Sequence, residues 1–319
     1  MGGDIYIPPK PKPEYKSEYR YALWYFTYNK YTNCYEKEFN GEVSDLLNRK
    51  FNYAIALEVK EGSDIPQSGF SYDNGYNDGK ELGKWVDQYL RGIDYFVAIP
   101  YYRKGGDDKG EKRGLEYWKG YVDGIHDNTS DYQIGFYWNL EYPNQVKDEY
   151  ITDFELNELS EYIRNERHQE FIWIPYLNDI ENPDNTDIKT LSKYFDYVFV
   201  QPHYYQAWKY NYLWNCKKDA SDDERESWKS KVKKYKEYIQ YGRTKLLDIL
   251  NWIKEIPNGY IEMEVDGQIN DFPDLINRAC DYIILRKSLT GRDIWQRRAY
   301  YFDIKKEFID KVRGTCPEW

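Results

Sequence analysis

Gly259-Tyr260-Ile261-Glu262-Met263-Glu264-Val265-Asp266-Gly267 reads as a short strand with two unlike faces. Side chains on a strand alternate with period two, so Ile261, Met263 and Val265 share one side. Tyr260, Glu262, Glu264 and Asp266 share the other. Three acids in a row on one face are costly unless that face lines a wet cavity, a metal site or an active site. Gly135-Phe136-Tyr137-Trp138-Asn139-Leu140-Glu141 has the same character. Phe136, Trp138 and Leu140 lie on one side, and Tyr137, Asn139 and Glu141 on the other. Two strands, each with an apolar face and an opposite face ending in a carboxylate, point to a barrel carrying a pair of catalytic acids.

Outward from these stretches, strand-like and helix-like segments alternate, the rhythm of a parallel sheet with crossover helices. Strands are expected at 21–29, 53–60, 94–102, 132–141, 170–178, 196–204 and 259–266, with an eighth at 299–303. Helices are expected at 77–91, 112–124, 153–166, 187–194, 221–254, 271–287 and 304–313. Thr152-Asp153-Phe154-Glu155 carries a capping-box signature. Gly92, Gly124 and Gly259 read as helix ends. The choice between a closed barrel and an open sheet rests on sidedness, because an open sheet covered by helices is apolar on both faces. Strand two is expected to turn Ile55, Leu57 and Val59 outward and Ala54, Ala56 and Glu58 inward. Strand six is expected to turn Val198 and Val200 outward and Phe199, Gln201 and His203 inward. The fold class that follows is α/β, a (β/α)8 TIM barrel. It forms a single domain over 16–319, with an extended Pro-rich leader at 1–15 and a helical insertion at about 206–232, after strand six.

Composition narrows the function. The 319 residues include 45 basic and 55 acidic side chains, a formal charge of -10, which argues against nucleic acid or an anionic membrane as partner. No run of about 20 apolar residues is present, so no membrane-spanning segment is expected. Tyrosine is abundant, with 36 Tyr and 11 Trp against 2 Met, and rings with polar edges suit stacking on sugars. The four cysteines, Cys34, Cys216, Cys280 and Cys316, lack Cys-x-x-Cys spacing, which argues against a zinc ribbon or thioredoxin-type motif. Cys280 and Cys316, in the last two helical regions, are the candidate disulfide pair.

The inward polar residues found by alternation all sit at C-terminal strand ends, the face on which barrel enzymes build their sites. Several carboxylates among aromatic rings suit glycoside hydrolysis, where one carboxylic acid protonates the leaving oxygen and one carboxylate attacks or activates water. Glu141 is the expected general acid/base and Glu264 the expected nucleophile. Glu58, Asn139, Tyr176, Gln201, His203, Tyr204, Glu262, Tyr28 and Tyr102 are the expected substrate contacts. Glu262, beside Glu264, is expected to raise a neighbour's pKa through like-charge repulsion. Its alternative role is a structural acid hydrogen-bonded inside the barrel. His203 reads as a hydrogen-bonding residue, since His126 and His168 lie on no strand end.

Four segments carry a resemblance. Gly135 to Glu141, Trp173-Ile174-Pro175-Tyr176, Val200-Gln201-Pro202-His203-Tyr204 and Gly259 to Glu264 look like the landmarks of a family of uncharacterised bacterial and archaeal proteins. That family is known as a domain of unknown function and is similar to glycoside-hydrolase barrels. The resemblance runs from about residue 20 to 305 and implies the barrel. A looser similarity is to the retaining glycosidase superfamily whose acid/base follows strand four and whose nucleophile ends strand seven. Glu141 and Glu264 match those places, but Leu140 separates Asn139 from Glu141, where that superfamily has Asn and Glu adjacent.

The expected function is therefore hydrolysis of a polysaccharide or glycan, with no metal and no cofactor, in an extracellular or cell-surface setting. Met1-Gly2-Gly3-Asp4 shows no charged-then-apolar export signal. From another class, a non-catalytic carbohydrate-binding or surface-structural barrel fits the same pattern. A metal-dependent hydrolase using Glu262, Glu264, Asp266 and His203 is a third reading.

Overall fold

The computed structural model describes residues 18–29, 31–58, 69–103, 111–207, 242–270, 272 and 274–319. The leader at 1–15 and all but two residues of the 206–232 insertion lie outside the described residues. Eight strands pair in chain order and all run parallel: β1 (Tyr19–Asn29), β2 (Tyr53–Glu58), β3 (Asp94–Ile99), β4 (Gln133–Trp138), β5 (Glu170–Trp173), β6 (Tyr197–Val200), β7 (Gly259–Glu264) and β8 (Arg297–Tyr301). The ring closes where β8 returns to β1, Tyr19 beside Arg297 and Ala22 beside Tyr300. Among the described residues the strands are followed by the α-helices α1 (Val43–Asn48), α2 (Tyr72–Leu90), α3 (Leu115–His126), α4 (Asp153–Glu161), α5 (Ile188–Leu191), α6 (Arg243–Lys254), α7 (Asp274–Arg286) and α8 (Glu307–Thr315). The (β/α)8 TIM barrel is borne out.

Two apolar layers explain the closure. The interior is filled by Tyr21, Leu23, Ile55, Leu57, Phe96, Tyr137, Ile172 and Phe199, among others. Phe136, Trp138, Trp173, Val198, Val200, Ile261 and Met263 face the helices instead. An eight-stranded barrel is just wide enough for side chains to fill it, so the inside is packed core below the mouth. Gly135 is part of that packing, for a Cβ there would lie 2.6 Å from the Phe96 ring and 2.4 Å from the Glu170 carbonyl oxygen. At the N-terminal end the Arg297 guanidinium lies 3.8 Å from the Tyr197 ring centre and 4.4 Å from that of Tyr19. It also donates to the Tyr21 hydroxyl at 2.5 Å. This aromatic–cation floor seals the end opposite the mouth.

Sidedness is as expected in β4, β6 and β7 and is reversed in β2. Ile55 and Leu57 fill the interior, while Ala54 and Ala56 meet the helical layer. The one acid of β2, Glu58, falls on the helix-facing side with Ala54 and Ala56, so it does not mark the inside, and the larger side chains go where the barrel has volume to fill.

The helices begin where the sequence marks them. The Thr152 hydroxyl accepts from the Glu155 N–H, and the Glu155 carboxylate returns to the Thr152 N–H at 2.9 Å, a reciprocal cap on α4. Gly92 follows α2 with φ +117. Gly124 ends nothing: it lies inside α3, against the backbone of α2. The expected 153–166 helix is α4 continued by one π-helical turn, Tyr162–Glu166. That turn swings the Tyr162 hydroxyl to 2.6 Å and Arg167 to 2.8 Å from Asp123 Oδ2, where Tyr72 of α2 also donates. Cys280 and Cys316 are neighbours as expected, but as free thiols. Burial, with Cys316 second, pushes the Cys280 thiol up to about 12.

Candidate active site

The C-terminal ends of the strands bring carboxyls and phenols together. Glu141 follows β4 by three residues and is anchored through both oxygens. The Tyr137 hydroxyl donates to Oε1 at 2.5 Å, and the Gln201 amide donates to Oε2 at 2.8 Å. Tyr137 is an inward residue of β4, four residues back, so strand and loop clamp the same carboxylate. Gln201 is fixed in turn, since its amide also donates to the Ile174 carbonyl at 2.8 Å. Tyr176 pairs with Gln201 in an isolated bridge, and its N–H donates to the Glu141 carbonyl at 3.2 Å. Donors on both oxygens favour the charged form of Glu141. A hydrogen bond to a charged group contributes about 1.5–3 kcal/mol. Gln201→Leu is therefore expected to raise the pH at which the Glu141 carboxyl ionises, read by carbon-13 NMR. An unmoved titration would show that the amide contributes nothing.

Glu262 lies within electrostatic reach of Glu141. It lies on the inward face of β7 and is 3% exposed. Burial first, then the charges of Glu264 and Glu141, raise its pKa well above the usual carboxylate range. This bears on the expected repulsion between the two β7 acids: the group most affected is Glu262. Burial also pushes the Tyr25 phenol up, with Tyr301, Glu262 and Glu141 adding to it, so its hydroxyl lies within electrostatic reach of all three. The Tyr25 and Tyr301 rings meet edge to face at 6.4 Å. The mouth is thus built from β1, β4, β6, β7 and β8.

Glu264 has a different environment. It is 0% exposed. The Tyr282 hydroxyl of α7 donates to Oε2 at 2.5 Å, and the Tyr205 N–H reaches the same oxygen at 3.3 Å. Oε1 faces His203 Nδ1 at 3.5 Å. Burial raises its pKa, opposed by His203 and by the Tyr282 hydroxyl. Its carboxyl is therefore stowed beneath the helical turn at 204–207, between β6 and α7. His203 holds φ +54 at the start of that turn and also meets Gln206 Oε1 at 2.9 Å.

Several expected substrate contacts lie elsewhere. Glu58 shares the helix-facing side of β2 with Ala54 and Ala56 and acts on the charge of Tyr121 in α3, so it does not line the mouth. Tyr204 is 3% exposed, donates to Asp281 of α7 at 2.7 Å and carries the Arg278 guanidinium 3.9 Å from its ring centre. It is a packing residue. Tyr28 stands on the outward face of β1, 5.0 Å from the Tyr35 ring of the adjoining strand Cys34–Lys37. Its inward neighbour Tyr25 takes the place expected of it. Asn139 is half-buried just ahead of Glu141. Tyr102 lies in a two-residue strand pairing with Lys112, and its side chain is outside the described residues. Tyr25, Tyr137 and Tyr301 were legible by the same alternation that exposes Glu262, but abundant tyrosine hid them. Among the described residues no group of three or more His, Cys, Asp or Glu side chains is placed to hold a metal ion.

Fold and site together define a TIM barrel whose C-terminal mouth carries an inward carboxyl pair ringed by phenols. The chain belongs to the same family as an uncharacterized protein of Methanocaldococcus jannaschii, with 57% identity over 353 aligned residues covering all of both. Membership of an uncharacterised family is as expected, and no family model matches. Among solved structures, a xylanase and alpha-amylase inhibitor protein from Scadoxus multiflorus is similar at TM-score 0.42 and 11% identity. That match covers 93% of this chain and 98% of that one. The Group IV chitinase of Ostrinia furnacalis, in complex with allosamidin, is similar at TM-score 0.30 and 15% identity over 56% of this chain. The chain spans half the length of that chitinase chain. No helix among the described residues is long and apolar enough to cross a membrane.

Proposed function

We propose that the protein is a glycoside hydrolase acting on a polysaccharide or glycan outside the cell or at its surface, by a paired-carboxyl mechanism without a metal. The observation that carries this reading is the convergence of Glu141 and Glu262 at one mouth. One is hydrogen-bonded through both oxygens and the other desolvated. A glycosidase needs two carboxyls held in opposite protonation states, and unlike environments are how that is arranged. Tyr25, Tyr137, Tyr301 and Gln201 supply rings and donors for a sugar.

Hydrolysis of a polysaccharide panel, read as new reducing ends, tests the reading. Wild type is expected to release them from at least one glycan, and Glu141→Gln to lose about 100- to 10,000-fold of that rate. Equal rates would remove Glu141 from the chemistry. The burial of Glu264 favours a second reading, a barrel that binds carbohydrate without cleaving it. Binding of a glycan with no turnover would decide for that one.

A further inference from the structure

We propose that Glu262 is the proton donor of the pair and Glu141 its charged partner. This rests on the glycosidase reading and reverses the roles that strand position alone assigns, where the residue after β4 gives the proton. Three placements support it. Both Glu141 oxygens accept, from the Tyr137 hydroxyl at 2.5 Å and the Gln201 amide at 2.8 Å, and donors on both oxygens favour its charged form. Glu262 is 3% exposed, and among the described residues no group hydrogen-bonds to its carboxyl. A buried polar group without a partner costs about 1–3 kcal/mol, and more when charged. The neutral acid with a free O–H is the form this pocket tolerates, and a ligand oxygen entering the mouth would satisfy it. Glu264, the other acid of β7, cannot compete for the role. It is fully buried with its oxygens turned to Tyr282, Tyr205 and His203. Its charge disfavours that of Glu262. Among the described residues the phenols Tyr25 and Tyr301 also lie within electrostatic reach of Glu262.

In the step that follows, the bond from the anomeric carbon to the leaving oxygen breaks with its electron pair staying on oxygen. The Glu262 proton moves to that oxygen, and the alcohol departs. Water supplies the new hydroxyl. Glu141 either takes the proton of a water attacking directly, or first bonds the anomeric carbon as an ester. In the second case water cleaves the ester and returns a proton to Glu262.

The test compares Glu262→Gln and Glu141→Gln on the cleaved glycan and on an aryl glycoside of the same sugar whose leaving group needs no proton. Glu262→Gln is expected to lose about 100- to 10,000-fold on the glycan, less than about 10-fold on the aryl glycoside, and the alkaline limb of its pH profile. Glu262→Asp keeps the acid and is expected to recover part of the glycan rate. Glu141→Gln is expected to lose both substrates alike. Sparing of Glu141→Gln by the good leaving group, instead of Glu262→Gln, overturns the assignment. Infrared difference spectra at neutral pH separate this from the glycosidase reading itself. A protonated-carboxyl band present in wild type and Glu141→Gln but absent from Glu262→Gln supports the assignment without any turnover. If no such band is lost, Glu262 is not the acid. If the band is lost but no glycan is cleaved, the glycosidase reading fails and Glu262 stands as a hydrogen-bond donor only.

Discussion

Gly79→Ala should destabilise the protein by about 2–4 kcal/mol, whereas Gly314→Ala should leave it unchanged or up to about 1 kcal/mol more stable. Both residues are helical, and alanine is the better helix former by about 1 kcal/mol, so propensity predicts the same gain at each. Packing decides otherwise. A Cβ on Gly79 would sit 2.2 Å from the Tyr121 carbonyl oxygen, while one on Gly314 meets nothing within 4 Å. Gly75, Gly120 and Gly124 repeat the arrangement, with Cβ positions 2.0–2.1 Å from carbonyl oxygens of the facing helix. The obstacle is backbone, so no rotamer relieves it. Carbon-to-carbonyl contacts settle at about 3.3–3.6 Å, and α2 and α3 would have to part by more than an ångström along their length. That would also pull Tyr72 from Asp123. Urea midpoints at constant slope measure the effect. Gly79→Ala matching wild type would mean that the two helices separate freely.

Glu262→Gln should abolish part of the loss of stability that wild type suffers as pH rises above the ordinary glutamate range. The sign follows from burial. The folded state holds the Glu262 proton to a higher pH than the unfolded chain does, because burial, Glu264 and Glu141 all disfavour its charge. Its contribution is fully present below the unfolded pKa, about 4.3, and is lost as pH climbs through the raised folded value. Over that window the folded state carries one proton more than the unfolded state, a slope of about 1.4 kcal/mol per pH unit from this site. Glutamine has the same shape and no proton to lose. The two proteins should therefore have similar stability near pH 4 and diverge as pH rises above the ordinary glutamate range, with the variant the more stable. Parallel curves would show that Glu262 titrates as an ordinary surface acid.

The architecture was readable wherever one face of a strand was polar. In β4, β6 and β7, Glu141, Gln201 and Glu262 mark the inside, and the phase they set is the observed one. In β2 the same kind of mark misleads: Glu58 set the phase, but it stands on the helix-facing side with Ala54 and Ala56, because Ile55 and Leu57 are the residues large enough to fill the interior. Alternation also stops at the strand end. It places Glu264 on the inward side but says nothing of the turn at 204–207, whose Tyr205 N–H joins the Tyr282 hydroxyl in drawing that carboxyl away from the axis. Tyr204 ends the expected strand 196–204 as a substrate contact, and only its contact with Asp281 shows it to be packing. Short elements left little trace: α1 has six residues, and the strand Cys34–Lys37 has four.

The junction of β8 with β1 bears on how this molecule is made. Residues about 280 apart in the chain meet there, and Glu18 salt-links to the fully buried Arg298 at the same place. A ribosome must deliver nearly everything before that junction can form. Until then a seven-strand arc exposes unpaired peptide groups along β7 and the lower half of β1, an invitation to intermolecular pairing. The upper half of β1 is shielded early, because Cys34–Lys37 folds back onto Phe26–Asn29 within a few residues. Nascent chains stalled before β8 should thus be the species most in need of a chaperone.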